Sequence, residues 1–232
     1  PQLVRNEWQN LNGKWNFIFD DENIGEEKQY FKQFPKSKEI LVPFTYETKM
    51  SGINDETVHE NIWYSNNVKL RLNENERTIL HFEGSDFITK LWINGKFVGK
   101  NIGGYHRFSF DISKYIINGE NNFTIKVEDS LSKSQPRGKQ RYKNESFKCW
   151  YIQTTGIWKT IWIETVPKNY IISVKNTPNL DDQNINIELE TNISLKEIEN
   201  YEVEIEIKYD NEIINVEKNK MEDHIFKYKI NI

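Results

Sequence analysis

The residues best able to do recognition chemistry fall in one long segment, positions 129–158. It opens with Asp129, runs through Gln135-Pro136-Arg137-Gly138-Lys139-Gln140 and Arg141, and closes on Cys149-Trp150-Tyr151 and Thr155-Gly156-Ile157-Trp158. It shows little apolar alternation, and connections longer than about 12–15 residues in a compact domain are usually functional or disordered. Arg and Gln side chains hydrogen-bond hydroxyl groups, and Trp and Tyr faces stack on the apolar side of a pyranose ring. A sugar contact is therefore one reading of the segment. The other is that it packs against a neighbouring domain.

Catalysis finds less support. Hydrolysis of a glycosidic bond needs two carboxylates facing each other across the bond. Glu47, Glu60, Asp86 and Asp129 could be so arranged, but among 35 acidic residues nothing singles out a pair. His59, His81, His106 and His224 show no zinc-ligand spacing with Cys149, so no metal is expected. Gly103-Gly104 precedes Tyr105 and a strand-like run, which reads as a turn and not as a phosphate loop. No Gly-x-Ser-x-Gly elbow occurs. No cofactor is implied.

The elements that must position these residues are short strands. Apolar residues recur at every second position between Asn, Gly, Asp and Pro, as with Phe123, Ile125 and Val127. Asn94-Gly95 tolerates the positive φ angles of a tight turn, which predicts a hairpin between 91–93 and 96–98. Further strands are predicted over 15–19, 39–42, 63–72, 78–83, 107–111 and 159–164, with a short turn over 112–116. Lys126 and Glu128 are read as members of a solvated strand face. About nine strands in some 165 residues imply a two-sheet sandwich or jelly roll.

Composition changes after Pro167, where Trp and Gly disappear. The remainder alternates as Ile185-Ile187-Leu189, Val203-Ile205-Ile207, Ile213 with Val216, and a run over 224–230. With 170–174 that makes about five strands, fewer than the seven or so of an immunoglobulin-type sandwich. Two domains are expected: a jelly roll over 1–167 and a truncated immunoglobulin-like unit over 168–232.

Composition also limits the function classes. Hydrophobic residues are only 37% of the 232, yet aromatics reach 13%, so large rings can build the core. A net charge of −4, with both signs interspersed, supplies no overall attraction to nucleic acid or to an anionic membrane. One cysteine allows no internal disulfide framework and fits a reducing compartment, so a cytoplasmic location is expected. No stretch approaches the roughly 20 apolar residues of a membrane helix. The chain opens on Pro1, so a segment before it is not excluded.

Several motifs, taken in order, resemble the N-terminal domain of family 2 glycoside hydrolases, the group of bacterial β-galactosidases and β-glucuronidases. They are Trp8-Gln9-Asn10-Leu11-Asn12-Gly13-Lys14-Trp15, Val42-Pro43-Phe44, Ser51-Gly52-Ile53 and Trp63-Tyr64. Trp92-Ile93-Asn94-Gly95, Gly103-Gly104-Tyr105, Phe108-Ser109-Phe110-Asp111, Gln135-Pro136-Arg137-Gly138-Lys139-Gln140 and Thr155-Gly156-Ile157-Trp158 follow. The resemblance covers about residues 5–167. It implies an all-β chain: a galactose-binding-like jelly-roll sandwich followed by a partial immunoglobulin-like β-sandwich. It also implies a C-terminal TIM barrel elsewhere in the parent protein, carrying the two glutamates of a retaining mechanism. No catalytic residue carries over to this chain. The resemblance puts substrate contact on residues near Asp129, Arg137 and Trp150, and the chemistry of the segment adds Gln140 and Tyr151 as candidate substrate-binding residues. In family relatives an aspartate stands six residues before the Gly-Ile pair, where this sequence has Trp150. An aromatic ring there stacks instead of accepting hydroxyl hydrogen bonds.

The expected function is that of a non-catalytic N-terminal part of a retaining exo-β-glycosidase. Expected partners are a β-linked carbohydrate, the barrel of the same chain and further copies in a homo-oligomer, with no nucleic acid and no membrane. An autonomous carbohydrate-binding module is the alternative. A purely adhesive β-sandwich protein has the least support, since no internal repeat is present.

Overall fold

A computed structural model describes residues 3–231, which form two compact units. The larger is Glu7–Thr165; the smaller gathers residues 3–6 and 166–231. Among the described residues there are strands, turns and two short 3-10 segments but no α-helix.

The larger unit contains β1 (Trp8–Asn10), β2 (Gly13–Phe19), β3 (Lys38–Val42), β4 (Asn61–Leu70), β5 (Glu76–Phe82) and β6 (Ser85–Asp86). These are followed by β7 (Ile88–Ile93), β8 (Lys96–Ile102), β9 (Phe108–Asp111), β10 (Gly119–Glu128), β11 (Gly156–Ile157) and β12 (Ile161–Pro167). A six-stranded sheet has the order β3-β2-β4-β10-β7-β8, and a four-stranded sheet the order β1-β12-β5-β9. The pairings β2–β3, β2–β4, β4–β10, β7–β10, β7–β8, β1–β12 and β5–β9 are antiparallel. This is the jelly-roll sandwich. Its core is built from alternate residues of both sheets, including Trp15, Phe17, Tyr64, Leu80, Phe82, Phe123 and Ile125. The β7–β8 hairpin turns at Asn94 (φ 51°) and Gly95 (φ 76°), the geometry that the Asn-Gly pair favours.

One expectation is corrected here. Lys126 is not on a solvated face: it is 1% exposed. The outer face of β4 and β10 is covered by the connection between β2 and β3. Phe31 from that connection stacks on Trp92 at 5.2 Å, Tyr30 meets Trp63 edge-on at 5.7 Å, and Trp63 stacks on Trp92 at 5.3 Å. Asp20 fixes the connection, accepting hydrogen bonds from the backbone of Ile24 and Gly25 and from Trp63 Nε1. Beneath it Lys126 Nζ donates to Asn23 Oδ1 and pairs with Glu26 and Glu128, both also paired with Lys90. Alternation alone sees one buried face, whereas both faces of these strands are buried because a remote segment folds over them.

The smaller unit holds β13 (Ile171–Asn179), β14 (Asn184–Thr191), β15 (Glu202–Tyr209), β16 (Glu212–Lys220) and β17 (Ile225–Asn231). They form a three-stranded sheet β13-β14-β17 and a hairpin β15-β16, a partial immunoglobulin-like sandwich. Leu189, Ile193, Ile198, Val203 and Met221 make its core, and Arg5 Nη2 donates to the carbonyl of Ile171.

Candidate functional site

The segment between β10 and β11 is tied both to itself and to the sandwich. Arg137 is buried, and its guanidinium donates to the carbonyls of Ser130, Ser132 and Arg141, which coils the first half of the loop around it. Arg141 is also buried and donates to Gln153 Oε1 and to the carbonyl of Glu56. Two backbone bonds close the loop's arms: Arg141 N–H to the Tyr151 carbonyl at 2.6 Å, and Tyr151 N–H to the Lys139 carbonyl at 2.8 Å. At the tip, Tyr142 meets Phe147 edge-on at 5.1 Å and Trp150 at 5.2 Å, a small aromatic cluster of its own.

Three buried carboxylates join this loop to the sandwich. Asp129 accepts from the Thr155 hydroxyl at 2.9 Å and from Gln135 Nε2. Glu47 accepts from the Thr155 N–H at 3.1 Å. Asp86 Oδ2 accepts from Gln140 Nε2 at 2.7 Å, and the same nitrogen reaches Tyr105 Oη at 2.8 Å. Gln140 Oε1 accepts from the Thr154 N–H, so both ends of this amide are used. Among the described residues, no lysine or arginine forms an ion pair with these carboxylates. Burial pushes Asp86 up to about 7, aided by the nearby charge of Asp129 and partly offset by Gln140. Burial likewise pushes Glu47 up to about 7, against hydrogen bonds from Thr45 and Thr155, and raises Asp129. Asp86 Oδ1 and Glu47 Oε2 are buried with no hydrogen-bond partner.

Two glycines make the junction tight. A Cβ on Gly104 would lie 2.2 Å from Asp86 Oδ1, so only glycine lets that turn seal the carboxylate. Gly156 has φ +96°, and a Cβ there would lie 2.1 Å from Tyr64 Oη.

Above Asp86 and Gln140 lies an open cleft of about 350 Å³, lined by Tyr105, Lys139, Tyr151, Thr154 and Trp158 among others. Tyr105 and Trp158 meet edge-on at 6.2 Å, and Trp158 Nε1 donates to the Gly104 carbonyl. Tyr151 is 62% exposed.

The five residues singled out in the sequence thus part company. Gln140 and Tyr151 line the cleft, as does part of Arg137. The Arg137 guanidinium, however, is committed to loop carbonyls, and Asp129 is buried beneath the loop. Trp150 packs in the Tyr142–Phe147 cluster and is not among the cleft's lining residues. Tyr105, Trp158 and Asp86 were not singled out as sugar contacts. Tyr105 and Asp86 are distant from the loop in sequence: the β6–β11 pairing sets Asp86 opposite Gly156, and the turn after β8 brings Tyr105 to Gln140.

Residues 8–167 match the sugar-binding domain of glycosyl hydrolases family 2, and the chain belongs to that family. Among curated relatives, it is 24% identical over 201 residues to a putative β-glucuronidase of Formosa agariphila, covering 85% of this chain and 23% of the relative. It is 28% identical over 205 residues to a β-galactosidase of Thermoanaerobacter pseudethanolicus, covering 85% and 26%. The chain therefore spans about a quarter of the length of these relatives. Among solved structures, a β-glucuronidase of an uncultured Clostridium species superposes with a TM-score of 0.74 at 20% identity, over 98% of this chain and 40% of that one. A Ruminococcus gnavus β-glucuronidase in complex with D-glucuronic acid gives 0.74 at 17% identity, over 98% and 41%. These likenesses establish the fold.

Proposed function

We propose that this chain is the non-catalytic N-terminal part of a retaining exo-β-glycosidase of the β-galactosidase or β-glucuronidase kind. In that reading the jelly roll and its loop support substrate binding and domain assembly, and a barrel of the same parent protein carries out hydrolysis. The observation that carries it is the cleft itself: Asp86 is the one carboxylate among its lining residues. A retaining mechanism needs two, roughly 5–5.5 Å apart. A lone buried carboxylate bound to an amide positions a loop and does not form a nucleophile and acid pair. Sugar contact falls on Tyr151 and on the remaining lone pair of Gln140 Oε1, with Tyr105 and Trp158 completing the wall. Asp129 and Arg137 shape the loop, and Trp150 stiffens its tip. Exposed, unpaired Cys149 fits the reducing, cytoplasmic location expected from composition.

The pure chain is expected to leave nitrophenyl β-galactoside and β-glucuronide unhydrolysed. Robust turnover, lost when Asp86 or another carboxylate is replaced by its amide, would overturn the proposal.

One observation favours a second reading, that of an autonomous carbohydrate-binding module: the loop is tied internally and presents Tyr151 to solvent. Titration calorimetry of the chain with galactose and glucuronate separates the two. Millimolar or tighter binding, abolished by Tyr151→Ala, selects the module.

A further inference from the structure

The chain's net charge of −4 conceals a local excess of the opposite sign. Residues 129–159 hold seven Lys and Arg against Asp129 and Glu145, a surplus of five positive charges. The two arginines are buried and bond to carbonyl and amide oxygens, so no carboxylate neutralises them directly. The five lysines, Lys133, Lys139, Lys143, Lys148 and Lys159, are exposed, and none belongs to an ion pair among the described residues. Elsewhere in the chain many lysines pair with glutamates, so this segment is unusual within its own molecule.

Three of these ammonium groups rest on ring faces: Lys133 over Tyr142 at 4.5 Å, Lys143 over Phe147 at 4.7 Å, and Lys159 over Trp158 at 4.5 Å. A cation on an aromatic face keeps its charge available to a ligand above it. Lys139 lines the cleft beside Tyr151. Asp86, 2% exposed, presents neither carboxylate oxygen to an incoming ligand. Its Oδ2 is taken by Gln140, and its Oδ1 is sealed against Gly104.

We propose that the surface of residues 129–159, which carries five unpaired lysines, Lys139 in the wall of the cleft and Lys159 on the ring of Trp158 beside it, docks an anionic polysaccharide chain bearing carboxylate or sulfate groups. The lysines meet the acidic substituents and the rings meet the apolar faces of the sugars. Nucleic acid fits less well. A duplex needs an extended basic stripe, and beyond this one loop the chain is net acidic. The inference deepens the reading of this loop as a carbohydrate contact and rests on that reading for the class of ligand.

The test is gel retardation of the 232-residue chain in dextran, polygalacturonate and dextran sulfate, with a short DNA duplex as competitor. The anionic glycans should retard the chain and neutral dextran should not. Retardation by one of them alone would identify the carboxylate or the sulfate as the group recognised. With about five charges engaged, doubling the salt should weaken binding about ten-fold. Replacing all five lysines by glutamine should abolish retardation while keeping a cooperative melt, lowered only by the loss of three exposed cation–π contacts. Tyr151→Ala should weaken glycan binding and leave any DNA binding as it was. Equal retardation in neutral dextran would overturn the charge argument and leave the carbohydrate reading standing. No retardation by either anionic glycan would overturn the proposal. DNA competing as strongly as the glycans, with Tyr151→Ala without effect, would reduce the surface to a generic ion exchanger and overturn it too.

Discussion

Two regions of the jelly roll bury charge, and they do it in opposite ways. On the outer face of β4 and β10, Lys126 and Lys90 share Glu26 and Glu128 in a ladder of ion pairs. Beneath the 129–155 loop, Glu47, Asp86 and Asp129 meet amides, hydroxyls and backbone N–H groups, while Arg137 and Arg141 meet carbonyls. In the ladder, burial alone would raise Glu26 and Glu128, but the two lysines hold both below the ordinary carboxylate range. In the seam, burial wins and the carboxylates rise. Paired charge fastens a structural cover. Unpaired charge is kept where the surface must present hydrogen-bonding groups, at a cost in stability.

The largest expected effect comes from breaking the ladder. Lys126→Ala removes the cation that pairs with Glu26 and Glu128 and lies over the Trp63 ring, and urea denaturation should show a loss of about 3 kcal/mol. Lys126→Met keeps the volume and should cost clearly less, since Lys90 still pairs both glutamates.

Neutralising the seam should act the other way. Asp86 titrates near 7 in the folded chain and near its ordinary value unfolded, so the folded state holds the extra proton between those two points. Its contribution to stability is therefore full below about pH 4 and lost as pH rises toward 7. Asp86→Asn should match the parent chain at pH 4 and exceed it by on the order of 2 kcal/mol at pH 8. Glu47→Gln should follow the same sign in the same window. The ladder has the reverse sign: Glu26 and Glu128 are lowered, so their stabilisation is present above the ordinary glutamate range and lost as pH falls through it. Lys126→Met should flatten that acid limb and leave the neutral one untouched, as thermal melts from pH 3 to 8 would show.

The smallest effect is expected at the loop tip. Trp150→Ala opens the cluster with Tyr142 and Phe147, and its half-buried ring should cost only about 1 kcal/mol. Intrinsic fluorescence should report a local loosening with the global transition preserved.

The sheet is largely legible in the sequence because alternation reports which side of a strand faces a core. Phe123, Ile125 and Val127 point inward as their spacing predicts. Alternation cannot report a second cover, so it places Lys126 on a solvated face although Asn23 and Glu26 reach it from about a hundred residues away. The candidate site was legible as a segment and not as a geometry. Composition marks the loop through Arg137, Gln140 and Tyr151. Which of its aromatics faces outward depends on bonds to Asp86, Tyr105 and Glu47, which are remote in the chain. Adjacent Trp150 and Tyr151 differ in fate because the paired backbone of Lys139, Arg141 and Tyr151 fixes which side each one takes.

The 129–155 loop is held by buried polar groups of the loop and of the jelly roll beneath it, with no ligand or further domain required. Amide hydrogen exchange of the 232-residue chain at neutral pH reads this out. Protection is expected at Arg141, Tyr151, Thr154 and Thr155, well above that of an unfolded peptide, with Thr154 losing it in Gln140→Ala. Exchange of all four at unfolded-chain rates, while β4 and β10 remain protected, would contradict it.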